Sequence, residues 1–225
     1  MNKILAVVAH PDDEVLGCGA TLARLIREGF EAITLILGEG ITSRDKKRDA
    51  KNSSKKILAL KEQAEKANKI LGVKEVLFYN LPDNRFDTLP LLEIIKAVEE
   101  VKVKVKPDII FTHYRKDLNI DHKITFNAVI TATRPIMGET VKEIYSFEIP
   151  SSTEWGYPLS FNPNVFFDVT ETIDVKLKAL QAYVSEIRDF SHPRSEEFIR
   201  LNSRLWGIKA GLMNAEVFQS IRIVR

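Results

Sequence analysis

Short apolar runs alternate with longer amphipathic ones through the first 135 residues, and this alternation leaves the chain few architectures to choose from. KILAVVA (residues 3–9) is followed by EVLGCGATLARLIREG and then by EAITLILG, which reads as strand, helix, strand. A second helix is expected from about Lys56 to Leu71, where Ile57, Leu60, Ala64, Ala67 and Leu71 share a face and Gly72 supplies the stop. VKEVLFY is a third strand, Leu89 to Val103 a third helix, PDIIFTHY a fourth strand, and Asp121 to Thr133 a helix that ends before Pro135. Strands apolar on both faces need cover on both faces. The pattern therefore predicts an α/β fold, a Rossmann-like, mostly parallel sheet flanked by helices, over residues 1–135. Beyond Pro135 the pattern loosens into EIYSFEI, a Pro/Ser/Asn-rich stretch from Pro150 to Asn164, VFFDV, and helices near Lys176–Ile187 and Ser195–Lys209. We read residues 136–225 as a C-terminal extension of the same domain, so that residues 1–225 form one domain.

Composition narrows the classes of partner. A chain of 225 residues that is 44% hydrophobic can bury one sizeable core. Its net charge of +2 gives no footprint for nucleic acid or for a membrane surface. A single cysteine, Cys18, excludes a disulfide framework and a multi-cysteine metal site, and it is expected in the core. No run approaches the roughly 20 apolar residues of a membrane helix. The expectation is a cytoplasmic protein with no integral membrane segment, acting on a small molecule.

In open parallel sheets ligands bind beyond the carboxyl ends of the strands. Four polar loops fall there: AHPDDE after the first strand, GEGITSR after the second, NLPDNRFD after the third and HYRKDLNIDH after the fourth. Three consecutive carboxylates repel one another, so solvent, a helix start or a cation must hold them. His10 with an Asp three residues later can deliver nitrogen and oxygen to one metal ion. Asp12 and Asp13, being adjacent, cannot point the same way, so one can bind metal while the other faces a water. A catalytic zinc site needs a third protein ligand, and His122, at the start of a helix on the same edge, is the best placed of the remaining histidines. His113, at the end of the fourth strand, is read as a packed or hydrogen-bonded structural residue.

AHPDDEVLGCGATLARL together with THYRKDLNIDH resembles the PIG-L/LmbE family of zinc-dependent deacetylases, which act on molecules containing N-acetylglucosamine. KEQAEKANKILG, HPRSEEFI and AEVF are further points of similarity. The resemblance implies Zn2+ as cofactor, His10, Asp13 and His122 as metal ligands, and Asp12 as general base. It also implies removal of acetate from an N-acetylated amino sugar or its conjugate, and family relatives suggest a homo-oligomer. Many members carry histidine three residues before the ligand histidine, where this chain has Asn119, which cannot carry a proton. His192, in SHPRS, is the candidate acid in its place. Asp121 is expected to orient a ligand. Arg44, Asp83, Arg85 and Asn119 are candidate substrate contacts, and Trp155 and Tyr157 can stack on a sugar ring or pack on the domain. A competing reading, a nucleotide-binding module without hydrolase activity, rests on Gly17 and Gly19. It lacks the third glycine, and AHPDDE would repel a pyrophosphate. A metal-dependent hydrolase of another amide is the other alternative.

Overall fold

The computed structural model describes residues 2–44, 48–49 and 52–225, with the side chain of Arg44 outside the description. One seven-stranded sheet has the order β3-β2-β1-β4-β5-β7-β6. Its strands are β1 (Lys3–Val8), β2 (Glu31–Gly38), β3 (Glu75–Leu81), β4 (Ile109–His113), β5 (Glu143–Phe147), β6 (Val165–Asp168) and β7 (Ala215–Ile223). The pairings from β3 through β5 are parallel, while β7 runs antiparallel to both β5 and β6. The helices are α1 (Asp13–Arg27), α2 (Ser54–Leu71), α3 (Leu91–Val105), α4 (Ile120–Ala132), α5 (Ile173–Leu180) and α6 (Glu196–Ala210).

β1 shows why its sequence carries no polar alternation. Ile4, Ala6 and Val8 enter a core built with α1, α2 and α5, while Leu5, Val7 and Ala9 enter a second core built with α3 and α4. Period-2 geometry sends successive residues to opposite faces, and both faces are covered. Gly17 and Gly19, the basis of the nucleotide-binding reading, lie inside α1. A Cβ on Gly17 would meet the Phe147 ring at 2.3 Å, so this glycine lets α1 approach the sheet closely.

The C-terminal part departs from expectation at two points. AEVFQSIRI forms β7, a strand that the loosened pattern did not announce, because its first four residues are buried without alternation, the next four are half-buried and Ile223 is exposed. The helix expected near Lys176–Ile187 begins at Ile173 and ends at Leu180. The chain then leaves helical geometry, and Tyr183 is fully buried with its hydroxyl bonded to Glu14 at the start of α1. That polar anchor outweighs the helical spacing of the segment.

Candidate active site

β1 ends at Val8, and the next residues turn sharply to start α1. Ala9 N–H donates to His113 Nε2 at 2.9 Å, which ties the end of β1 to the end of β4. Asp12 then takes φ 102°, a left-handed conformation that costs a non-glycine residue roughly 1–3 kcal/mol. Glu14 holds it and is itself held. Asp12 N–H donates to Glu14 Oε2 at 3.1 Å, and Glu14 Oε1 accepts from Asn68 Nδ2 at 2.9 Å and from the Tyr183 hydroxyl. Burial raises the Glu14 carboxyl to about 7, as expected of an acid enclosed beside other carboxylates.

The turn aims Asp13 back at three imidazoles. Its Oδ2 accepts from His10 N–H at 2.8 Å and lies 3.4 Å from His10 Nδ1, 3.3 Å from His122 Nε2 and 3.4 Å from His113 Nε2. Its Oδ1 is buried and has no hydrogen-bond partner. One donor atom from each of His10, Asp13 and His122 falls within 4.8 Å of the others, a spacing that one metal ion can bridge. Each histidine turns its second nitrogen to a carboxylate: His10 Nε2 lies 3.1 Å from Asp121 Oδ2 and 3.4 Å from Asp83 Oδ1, and His122 Nδ1 lies 3.0 Å from Asp117 Oδ1. Outer carboxylates of this kind fix the tautomer and strengthen an imidazole as a ligand.

Those carboxylates are themselves anchored. Asp121 Oδ1 accepts from Phe86 N–H at 3.0 Å, Asp83 Oδ2 accepts from Ser43 N–H at 2.9 Å, and Asp117 accepts from Asn119 N–H at 2.8 Å and from the hydroxyls of Ser152 and Thr153. His113 stacks on His122 with ring centres 3.9 Å apart. Burial, followed by repulsion from His122, holds its pKa well below the ordinary value, which suits the packed residue expected from the sequence.

The electrostatics call for a positive charge. Burial alone would push His10 and His122 down, yet the surrounding carboxylates raise His10 well above its ordinary value and His122 to about 9. Burial would push Asp13 up, and the neighbouring histidines hold it well below the carboxylate range. A divalent cation would meet the same need while displacing the protons. A second group, His10 with Asp83 and Asp121, is also close enough to hold an ion. The first group fits better: it offers two nitrogens and one oxygen, as zinc prefers, and it contains the orphaned oxygen of Asp13.

A cavity of about 160 Å3 opens beside these groups, lined by His10, Asp12, Asp83, Asn119 and His122 among the expected residues. Gly40 permits its second wall to close, since a Cβ there would meet Pro11 Cδ at 2.5 Å. Asn119 caps α4, accepting from Asp121 N–H at 2.8 Å, while its amide donates to Asn84 Oδ1 at 2.8 Å. Arg85 is exposed and does not line the cavity, so the structure does not support it as a substrate contact. Arg44's side chain lies outside the described residues. His192 does not line the cavity either. Its Nδ1 accepts from Arg194 N–H at 3.1 Å, its ring meets Trp155 edge-on at 6.1 Å, and burial and two arginines hold its pKa below the ordinary value.

Sequence reasoning missed the groups that close the cavity from the C-terminal side: Ser151, Ser152, Glu186 and Arg194. Arg194 Nη1 donates to Asp12 Oδ2 at 2.7 Å and to Glu186 Oε2 at 3.1 Å, and its Nε donates to Ser151 Oγ at 2.8 Å. HPRS drew notice for its histidine, whereas the residue that reaches the site is the arginine two positions on. Burial pushes the Asp12 carboxyl well above its usual range against the pull of Arg194.

Over residues 5–133, more than half of the chain, the sequence matches the PIG-L family, described as GlcNAc-PI de-N-acetylase. The protein belongs to the PIG-L family. Membership makes it a hydrolytic de-N-acetylase. It is 34% identical over 188 residues to YaiS of Escherichia coli K12, an uncharacterized deacetylase, across 81% of this chain and 90% of that one. It is 26% identical over 226 residues to diacetylchitobiose deacetylase of Thermococcus kodakarensis, across 96% and 82%. Its fold is shared with GalB, the 4-carboxy-2-hydroxymuconate hydratase of Pseudomonas putida KT2440, at a TM-score of 0.78 and 22% identity over 100% and 99% of the two chains. The fold alone is thus found with more than one reaction, and the substrate of this member must be argued from its cavity.

Proposed function

We propose that this PIG-L protein is a zinc-dependent hydrolase that removes acetate from an N-acetylated amino sugar or its conjugate. The observation that carries the proposal is the donor set His10, Asp13 and His122 with Asp12 beside it in a polar cavity. When bound, a zinc ion in such a set acidifies a water and polarises an acyl oxygen. The chain's own residues do the rest. Asp12, pushed upward by burial, takes the proton from the attacking water; the water oxygen bonds to the acetamide carbon, and the C–N bond then breaks. The same carboxyl returns the proton to the departing nitrogen, since His192 is outside the cavity and Asn119 has no acidic proton. Acetate and a free amine result.

Asp83, Asn84, Ser43 and Asn119 form a wall of acceptors and donors suited to sugar hydroxyls. One sheet runs through residues 1–135 and 136–225, which supports a single domain. No helix among the described residues is long and apolar enough to cross a membrane.

The test is acetate release from a panel of N-acetylglucosamine glycosides, lipid conjugates and nucleotide sugars, with metal content measured on the same preparation. Chelator-sensitive acetate release is expected. Turnover of 4-carboxy-2-hydroxymuconate with no acetate from any member of the panel would overturn the reading.

A further inference from the structure

Asp12 stands in a crowd of like charges. Asp13 and Glu14 follow it in sequence, Glu186 faces it across the cavity, and its own backbone is held at φ 102°. Backbone strain fixes where the side chain leaves the chain but not how the carboxylate turns, and mutual repulsion would turn it away from its neighbours. Arg194 meets that problem with three directed bonds. Nη1 is shared between Asp12 Oδ2 at 2.7 Å and Glu186 Oε2 at 3.1 Å, and Nε is held by Ser151 Oγ at 2.8 Å. The chain beside Arg194 is held from outside the cavity as well: Ser195 caps α6 by accepting from Phe198 N–H at 3.1 Å. Only a planar group with donors on two edges satisfies this arrangement, which an ammonium cannot reproduce.

We infer that Arg194 is a positioning residue for the base, holding Asp12 by Oδ2 so that the other oxygen serves the water and the carboxylate is kept from turning onto the metal. The inference rests on the proposed hydrolase reading. Its Nη1 and Nε are committed to Asp12, Glu186 and Ser151, which assigns these donors to orienting the base and not to binding substrate.

A cycle of four proteins tests it: wild type, Arg194→Ala, Asp12→Asn and the double variant, with Arg194→Lys and Arg194→Gln beside them. Arg194→Ala should keep its metal and its KM and lose about 10²-fold in kcat, the scale of a misplaced catalytic group. Guanidinium ion added to the buffer should restore part of that loss, whereas Arg194→Lys should remain impaired. In the Asp12→Asn background the same removal should cost nothing further, because the two residues act as a unit. Losses that add, or a rise in KM at unchanged kcat, would overturn the inference and make Arg194 a substrate contact.

A readout without substrate accompanies this. In cobalt-loaded protein the visible spectrum of Arg194→Ala should differ from wild type, while the double variant should match Asp12→Asn. Identical spectra for Arg194→Ala and wild type would refute the hold on Asp12. If Arg194→Ala does not fold, Arg194→Gln carries both readouts, since it keeps a donor near Ser151. Turnover of 4-carboxy-2-hydroxymuconate by wild type with no acetate from the whole panel would defeat the hydrolase reading, and the cobalt comparison would still decide whether Arg194 holds Asp12.

Discussion

β3, β2, β1 and β4 run parallel and end at the cavity, whereas residues 136–225 reach it through the loop after β5 and through the segment between α5 and α6. The two parts contribute different chemistry. From the parallel part come His10, Asp13, Asp83, Asp117, Asp121 and His122, the proposed metal donors and the carboxylates behind them. From the C-terminal part come Ser151, Ser152, Thr153, Tyr183, Glu186 and Arg194, which make no contact with a metal donor atom but hold Asp12, Glu14 and Asp117. A regular sheet brings ligands from distant positions to one edge with little freedom. The irregular part supplies orientation, and it does so through long side chains.

The comparison predicts unequal losses. The largest effect is expected in the parallel part: Asp13→Ala, His10→Ala or His122→Ala should each remove bound metal and abolish acetate release, measured by metal analysis and turnover on one preparation. Full metal occupancy in His122→Ala would break the assignment. Asp12→Asn should keep the metal and lose roughly 10²–10⁴-fold in rate, the usual contribution of a general base. An Asp12→Asn protein that had lost its metal would mean that the roles of Asp12 and Asp13 are reversed.

A pH dependence follows from His122 in chelator-treated protein. Its pKa is about 9 when folded against an ordinary 6.5, so the folded state holds a proton that the unfolded state releases across that window. Its contribution is fully present below 6.5 and is lost as pH rises to about 9, a fall of roughly 3 kcal/mol. Urea titrations at pH 6.5, 7.5 and 9 should show that fall in the wild type and a flatter profile in His122→Gln; equal slopes would show that His122 is not the group responsible.

Asp117 joins the two parts, since it faces His122 and accepts from Ser152 and Thr153. Asp117→Asn should weaken metal affinity about 10- to 100-fold, the scale for a carboxylate behind a ligand histidine. Unchanged affinity would confine the influence of the C-terminal part to Asp12. The smallest effect is expected at His192: His192→Ala should alter turnover by no more than about twofold, as for a substitution outside the site. A larger loss with a changed pH profile would return it to the role of acid.

The sequence by itself determined the parallel core and the loops that carry chemistry, because strands apolar on both faces and helices with one apolar face are written in local periodicity. It placed AHPDDE, DLNIDH and the LPDN turn on one edge for the same reason. Period and turn chemistry are properties of neighbours, so they survive without coordinates. What only the tertiary structure decided were partnerships between residues far apart: Asp121 with His10, Asp117 with His122, Tyr183 with Glu14, and Arg194 with Asp12, the last 182 positions apart. A buried carboxylate and a half-buried guanidinium leave no periodic mark, and neither can be matched to a partner until the chain is folded. HPRS drew attention to His192, whereas Arg194 is the member that lines the cavity, because reactivity can be read from a residue type whereas reach depends on the path of the backbone.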